Sequence, residues 1–281
     1  MSVEVAFAAT DRVGEGPVWH DGRLHWVDIL SGLIHRGDPA TATVTTDEVP
    51  TLVGAAVPAA SGGYVVACAE GFGTVRDGTL DVRSAILPDG IRMNDAKCDP
   101  LGRLWAGSNA MEFDAGAGAL HVLHSDWTTE VVLTGLTLPN GMGWSPDGAT
   151  FYLIDSYAYE LYSFGYSAAG IDVGSRRLVA SFDPAGGMPD GMCVDAEGGL
   201  WVARWGGSRV DLLTPDGVLR RTVPMPAAQP SSCAFGGADL DVLYVTSARE
   251  GLTLADGDSD GSVFILDDPG VRGLAVQGFA A

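Results

Sequence analysis

The chain has 281 residues, of which 36 are acidic and 16 basic, and its formal net charge at pH 7 is −20. Such a charge repels nucleic-acid phosphates and anionic membranes, so we expect neither as a partner. No segment approaches the roughly 18 uninterrupted apolar residues of a membrane span, and the first residues show no basic, signal-like stretch. These features predict a cytoplasmic protein.

Six short segments along the chain follow one pattern: an anchor residue near the start of an apolar strand, a tight turn, and a second apolar strand. The anchors are Glu15, Gly54, Asn94, Asn140, Asp190 and Ser232. They lie 39 to 50 residues apart, which suits a four-stranded propeller blade of about 40 to 50 residues. The copies at Asn140 and Asp190 superpose without a gap, whereas those at Gly54 and Ser232 are weaker.

The apolar runs are four to six residues long and are bounded by Asp-Gly or Pro-Asp-Gly turns, which is typical of strands joined by tight hairpins. No long segment has the 3.6-residue period of an amphipathic helix. We therefore predict an all-β fold, a single six-bladed β-propeller over residues 1–281 with a metal site on its central axis. Ring closure requires a strand from one terminus to complete the sheet begun by the other, and the candidates are 3–7 and 273–276.

Four of the anchors carry a carboxylate or an amide: Glu15, Asn94, Asn140 and Asp190. The first strand of each blade lines the channel of a propeller, so these side chains should converge on the axis. Their oxygens suit Ca²⁺, with Mg²⁺ or Mn²⁺ also possible; Zn²⁺ would accept these ligands but normally prefers nitrogen or sulfur. The alternative is that Asn-Gly and Asp-Gly at these points are turn dipeptides. We favour the metal site, because Pro precedes Asn140 and Asp190, and Gly-Met followed by an apolar strand start comes after each.

The cysteines and histidines offer little other chemistry. No Cys-x-x-Cys pair exists, and Cys68, Cys98, Cys193 and Cys233 each lie in or beside an apolar strand pattern, so we expect four buried free thiols. His121 and His124 are three residues apart and would point to opposite faces of a strand. His20 and His25 flank a turn and are expected at the surface. A histidine-based zinc site or catalytic triad therefore has little support.

Several strings in this sequence carry a family resemblance: residues 14–19, 92–103, 139–145, 189–195 and 231–237. In the same order, from about residue 12 to about residue 275, they resemble the senescence-marker-protein / gluconolactonase / luciferin-regenerating-enzyme family. The resemblance implies a six-bladed propeller with one catalytic divalent cation held by Glu15, Asn140 and Asp190. It also implies a substrate pocket that uses Arg92, Asn94 and Glu112, with Asp95 as a neighbouring pocket residue. Asn109 departs from the pattern that usually leads to the equivalent of Glu112.

With these residues, the resemblance implies a metal-dependent hydrolase that opens a small sugar lactone, such as a glucono- or xylonolactone, to the aldonic acid. Asp190 is the candidate general base; in the competing assignment the cation activates the water and Asp190 is a ligand only. Arg92 and Asn94, two apart in an extended segment, should bind sugar hydroxyls together; the alternative is that Arg92 is a structural residue paired with an aspartate or glutamate. A calcium-dependent esterase or phosphotriesterase and a non-enzymatic calcium-binding regulatory propeller are the alternatives. We expect a monomer or weak homo-oligomer.

Overall fold

The structure is a computed structural model that describes residues 2–280. Within these residues the chain forms six antiparallel sheets of four strands each and two single-turn 3₁₀ helices. The sheets are arranged as consecutive blades, and the innermost strands of neighbouring blades contact one another around a central channel. The predicted all-β, six-bladed propeller is confirmed.

The four strands of each blade follow one another from the axis outward. Blade 1 contains β2 (Gly14–His20), β3 (Arg23–Asp28), β4 (Leu33–Asp38) and β5 (Thr43–Glu48). Blade 2 contains β6 (Val53–Pro58), β7 (Tyr64–Cys68), β8 (Gly71–Arg76) and β9 (Thr79–Ala85). Blade 3 contains β10 (Ile91–Cys98), β11 (Leu104–Ala110), β12 (Gly118–Leu123) and β13 (Thr129–Leu136). Blade 4 contains β14 (Pro139–Trp144), β15 (Thr150–Asp155), β16 (Glu160–Ser167) and β17 (Gly170–Ser181). Blade 5 contains β18 (Met188–Val194), β19 (Leu200–Trp205), β20 (Arg209–Leu213) and β21 (Leu219–Pro224). Blade 6 contains β22 (Gln229–Gly236), β23 (Val242–Ala248), β24 (Val263–Asp267) and, outermost, β1 (Val3–Phe7). The 3₁₀ helices are Ser156–Ala158 and Pro184–Gly186.

The N-terminal strand closes the ring. β1 pairs antiparallel with β24, with Val3 opposite Leu266 and Phe7 opposite Val263. The expectation for residues 3–7 is therefore confirmed, whereas the expectation for 273–276 is wrong. That segment forms no strand; it makes one isolated bridge, from Gly273 to Asp195, because it crosses the hairpin turns at one end of the channel and does not follow a sheet edge.

The core lies between the blades, where large side chains of neighbouring sheets interlock. Between blades 3 and 4, for example, Trp105 packs on Phe151 with ring centroids 5.2 Å apart. Three buried indole N–H groups each donate to an aspartate at 2.8 to 2.9 Å; the pairs are Trp26–Asp11, Trp105–Asp99 and Trp201–Asp195. These three aspartates therefore satisfy buried donors, which would be costly to leave unpaired.

The cysteine prediction is confirmed, since all four thiols are free and buried. The prediction for His25 is wrong. Its side chain is buried because blade 2 covers it, and Nδ1 lies 2.9 Å from the hydroxyl of Tyr64 on β7. His20 keeps 41 % of its side chain exposed, as expected. Among residues 2–280, no helix is long and apolar enough to cross a membrane.

Candidate metal centre

The three residues predicted as metal ligands lie at the starts of innermost strands: Glu15 in β2, Asn140 in β14 and Asp190 in β18. All three are buried, with 3 to 5 % of their surface exposed. In each strand the pairing with the next strand shifts register just after this point. Such a bulge redirects side chains out of the regular alternation of a strand, so it can turn the anchors towards the channel.

The glycines that follow Asn140 and Asp190 show whether these Asn-Gly and Asp-Gly pairs are turn dipeptides. Gly22 and Gly148, in the Asp-Gly hairpins, have positive φ angles of 74° and 65°, as turn glycines do. Gly141 and Gly191 are not among the glycines with positive φ. A Cβ on Gly191 would instead lie 2.0 Å from Ser232 Oγ of the next blade, and one on Gly141 would lie 2.6 Å from the Asp190 carbonyl oxygen. These glycines permit close approach of the innermost strands, so the turn interpretation does not apply to them.

Hydrogen bonds orient the Asn140 side chain. Its Nδ2 donates to Ser156 Oγ at 3.1 Å and to Asp190 Oδ1. With the amide in this orientation, Asn140 Oδ1 is buried and has no hydrogen-bond partner within residues 2–280, and the same holds for Glu15 Oε1. Buried polar atoms are nearly always paired, so two such acceptors at one site call for a missing partner. A hard divalent cation fits them, because it binds carboxylate and amide oxygens.

The electrostatics of the site also favour a bound cation. Burial, followed by the negative charges of Asp190 and Asp95, raises the pKa of Glu15 well above its usual value. Burial and then Asp95 likewise raise the pKa of Asp190, and burial raises that of Asp95. Three carboxyl groups crowd a region of low dielectric constant, where positive charge is needed to keep them ionised together.

A cation at this centre would need the side-chain amide of Asn140 as a ligand. Within residues 2–280, no group of three or more His, Cys, Asp or Glu side chains is arranged to hold a metal ion. The candidate centre has two carboxylates, and Asn140 supplies the third oxygen. Amide oxygens are ordinary ligands for Ca²⁺, whereas Zn²⁺ normally takes nitrogen or sulfur ligands.

Arg92 and Asn94 of β10 lie beside this centre and are both buried. Arg92 Nη1 donates to Asn94 Oδ1 and to the Met93 carbonyl oxygen, each at 2.9 Å. Asn94 Nδ2 donates to the Pro139 carbonyl oxygen of blade 4 at 3.2 Å. Burial lowers the pKa of Arg92 to about 10, although Glu15 and Asp190 oppose the shift, so the side chain remains a cation at neutral pH. The two residues are therefore held together as one unit. In the described part of the chain, Arg92 Nε and Nη2 make no hydrogen bond.

Known proteins resemble this chain over most of its length. The SMP-30/Gluconolactonase/LRE-like region matches residues 13–249. The chain belongs to this family. It is 38 % identical to a pentonolactonase of Haloferax volcanii, over 95 % of this chain and 94 % of that protein. It is 36 % identical to regucalcin of Danio rerio, over 98 % of this chain and 97 % of the relative.

The fold of the chain also matches that of a solved relative. The solved structure of a calcium-binding protein, regucalcin, from Agrobacterium tumefaciens superposes with a TM-score of 0.92 at 27 % identity, covering 100 % of this chain and 98 % of that one. The SMP-30/Gluconolactonase/LRE-like match begins just before β2 and ends just after β23, so it includes every predicted site residue.

Among the predicted site residues, only Glu112 is not buried. It lies in the turn after β11 and is exposed, and its side chain makes no hydrogen bond or ion pair within residues 2–280. The end of β11 pairs with the start of β10, and Asn109 lies opposite Arg92. Glu112 is therefore at the same end of the channel as the start of β10. The next residue, Phe113, stacks on Tyr157 at 5.1 Å and joins this turn to the loop that follows β15.

Sequence reasoning missed Ser156, which is fully buried and bonded to Asn140. The available signal was weak. Ser156 follows β15, the strand that pairs with the strand of Asn140, and Asp155 lies opposite Pro139. A polar residue immediately after that pair is therefore placed near the anchor, but a serine in a loop carries no distinctive pattern.

Proposed function

We propose that this protein is a divalent-cation-dependent hydrolase that opens a small sugar lactone, such as a glucono- or xylonolactone, to its aldonic acid. The observation that carries the proposal is the pair of buried, unpartnered oxygens, Glu15 Oε1 and Asn140 Oδ1, next to Asp190 and the Arg92–Asn94 unit. The pentonolactonase relative, aligned over nearly the whole chain, supports a lactone as the substrate class.

Glu15, Asn140 and Asp190 would hold the cation. Ca²⁺ is the first choice because all three ligands are hard oxygens, and the calcium-binding structural relative supports it; Mg²⁺, Mn²⁺ and Zn²⁺ are the alternatives. When bound, the cation would polarise the lactone carbonyl group and stabilise the negative charge that develops on its oxygen.

The remaining chemistry falls to the side chains of this protein. The free N–H groups of Arg92 would donate to ring hydroxyls, and Asn94, held by Arg92 and Pro139, would fix the orientation of the sugar. Asp95 and Glu112 are proposed as further pocket residues. Asp190, whose Oδ1 accepts a hydrogen bond from Asn140, is the candidate base that would take a proton from the attacking water; in the competing assignment it is a ligand only.

The test is proton release from a panel of five- and six-carbon aldonolactones. Protein stripped of metal with a chelator is compared with protein to which Ca²⁺, Mg²⁺, Mn²⁺ or Zn²⁺ has been restored singly. We expect hydrolysis of one or two lactones well above the spontaneous rate, only with metal. If no metal accelerates any lactone, the proposal is wrong; aryl esters, phosphotriesters and simple Ca²⁺ binding are then the next measurements.

Two substitutions separate the roles of Asp190. Asp190→Ala should abolish both turnover and tight metal binding, because a ligand is lost. Asp190→Asn should keep metal binding measured by titration calorimetry but lose at least about 100-fold in kcat, since an amide is not a base. If Asp190→Asn retains turnover, Asp190 is a ligand only.

A cytoplasmic location and a monomeric or weakly self-associating state complete the proposal. Light scattering coupled to gel filtration at several protein concentrations tests the second of these.

A further inference from the structure

A cavity lies in the central channel, at the end opposite to the metal centre. The anchors of neighbouring innermost strands lie level with one another, as the contact of Gly191 with Ser232 shows. The cavity is lined by residues at the other ends of these strands and has a volume of about 380 Å³. In β18 its lining residues Cys193 and Val194 follow Asp190 by three and four positions, which is about 10 to 13 Å of strand. None of the predicted metal ligands lines it.

The C-terminal segment closes this end of the channel. Gly273 N donates to the Leu240 carbonyl oxygen in blade 6 at 2.8 Å, and Ala280 N donates to the Gly102 carbonyl oxygen in blade 3 at 3.0 Å. Phe279 is fully buried. Residues 274–277, between these two fixed points, form one wall of the cavity. The segment is thus a strap that is held at both ends and spans the channel mouth.

Lys97 is the only lysine in the sequence, and it lines this cavity. Its Nζ donates to the Met192 carbonyl oxygen across the channel at 2.7 Å. Within residues 2–280 no carboxylate lies at ion-pair distance from Nζ, although Asp95 is near enough to feel its charge. A lysine ammonium has three donors, so two remain for a ligand.

The other walls are mainly apolar. They include Val18, Trp144, Val194 and Phe235. The one acidic residue of the lining, Asp147, is exposed at the rim and accepts hydrogen bonds from Ser145 and Ala149 within its own turn. A polyhydroxylated sugar acid would find few hydrogen-bond partners on such walls, whereas an apolar body would be covered on most sides.

We propose that this cavity is a second binding site, which takes a small monocarboxylate with a compact apolar body. The carboxylate accepts hydrogen bonds from Lys97 Nζ, and the apolar body packs against Val18, Val194 and Phe235. The site differs from the lactone pocket in position and lining, and it stands independently of the proposed activity.

The single lysine gives a direct probe. Protein carrying ¹³C at lysine Cε contains one labelled side chain, so its NMR spectrum reports on Lys97 alone. We expect benzoate and hexanoate to shift this signal saturably, with and without Ca²⁺, and gluconate to leave it unchanged. A signal that does not move with either apolar carboxylate, or that moves equally with gluconate, overturns the proposal.

Variants make the test independent of the label. By titration calorimetry, Lys97→Met should weaken benzoate binding at least about tenfold through loss of a charge-assisted hydrogen bond. Arg220→Gln, which removes an exposed cation outside the cavity, should bind as the unmodified chain does. Leu274→Trp on the strap should block binding, because the larger side chain fills the cavity and the innermost strands are unchanged. This variant provides a test if Lys97→Met does not fold. Undiminished binding in Leu274→Trp also contradicts the proposal.

Discussion

At the scale of single residues, the orientation of one amide decides whether the candidate centre can hold a cation. Asn140 presents Oδ1 to the site only while Nδ2 is bonded to Ser156 and Asp190. Partners that orient a ligand typically contribute 10- to 100-fold to metal affinity. Ser156 is therefore expected to matter although it touches neither cation nor substrate.

We predict that Ser156→Ala lowers the affinity for Ca²⁺ by about 10- to 100-fold, measured by titration calorimetry on chelator-stripped protein. Ser156→Thr keeps the hydroxyl and should restore most of the affinity. Ser108→Ala is the matched control, because Ser108 is also buried and its hydroxyl is bonded at 2.8 Å to His121 and not to a predicted ligand. Equal losses in Ser156→Ala and Ser108→Ala would mean that Ser156 is only structural.

Buried histidines set a pH limit on stability. Burial lowers the pKa of His121 to about 4, whereas an unfolded histidine titrates near 6.5. The unfolded chain therefore binds the proton first, so the stability that His121 contributes is complete above about pH 6.5 and is lost as the pH falls towards 4. His25 adds to the effect, since burial lowers its pKa to about 4 as well.

We predict that His121→Gln flattens the dependence of unfolding free energy on pH between 6.5 and 4, measured by urea unfolding at several pH values. His124→Gln should leave the slope unchanged, because His124 keeps 34 % of its side chain exposed. A slope that is the same in both variants would exclude His121 as its source.

At the scale of structural elements, β1 holds the ring closed. Its contribution to the core is Phe7, which is buried and stacks on Trp26 with centroids 5.4 Å apart. The ring of Phe7 also lies against Gly37, where a Cβ would come within 2.6 Å of it. The strand is thus fixed by a side chain that joins blade 6 to blade 1.

We predict that Phe7→Ala lowers the free energy of unfolding by about 3 to 5 kcal/mol, measured by urea titration. Val5→Ala on the same strand, where Val5 is 43 % exposed, should cost less than about 1 kcal/mol. If the two substitutions cost the same, β1 contributes through its backbone pairing and not through the Phe7 contact.

Elements differ in how far the sequence predicts them. Hairpins such as β2–β3 were predictable because a short Asp-Gly turn and the alternation of side chains are local features. The C-terminal strap was not, because its position depends on contacts of Gly273 and Phe279 with blades that lie far away in the sequence. His25 was misplaced for the same reason: a residue beside a turn becomes buried when another blade covers it.

At the scale of the whole molecule, the charge of −20 opposes the compact state. Like charges on the folded surface repel one another, and salt screens that repulsion. Exposed ion pairs such as Arg12–Glu250 would lose stability on screening, but such pairs contribute little in water, and acidic residues outnumber basic ones 36 to 16.

We predict that the melting temperature rises as NaCl is increased from about 0.05 to 1 M, measured by scanning calorimetry in the presence of a chelator so that cation binding does not contribute. A melting temperature that falls with salt would show that attractive surface pairs outweigh the net repulsion.

The sequence by itself determined the number of blades, the hairpins that join successive strands and the anchors near the starts of the innermost strands. These features follow from short-range periodicity, and a ring of repeats turns equal positions in sequence into neighbouring positions in space. Only the tertiary structure decided how Asn140 is oriented, that Lys97 spans the channel to Met192, 95 residues away, and what closes the channel. Those outcomes depend on the packing of one blade against another, which no local pattern records.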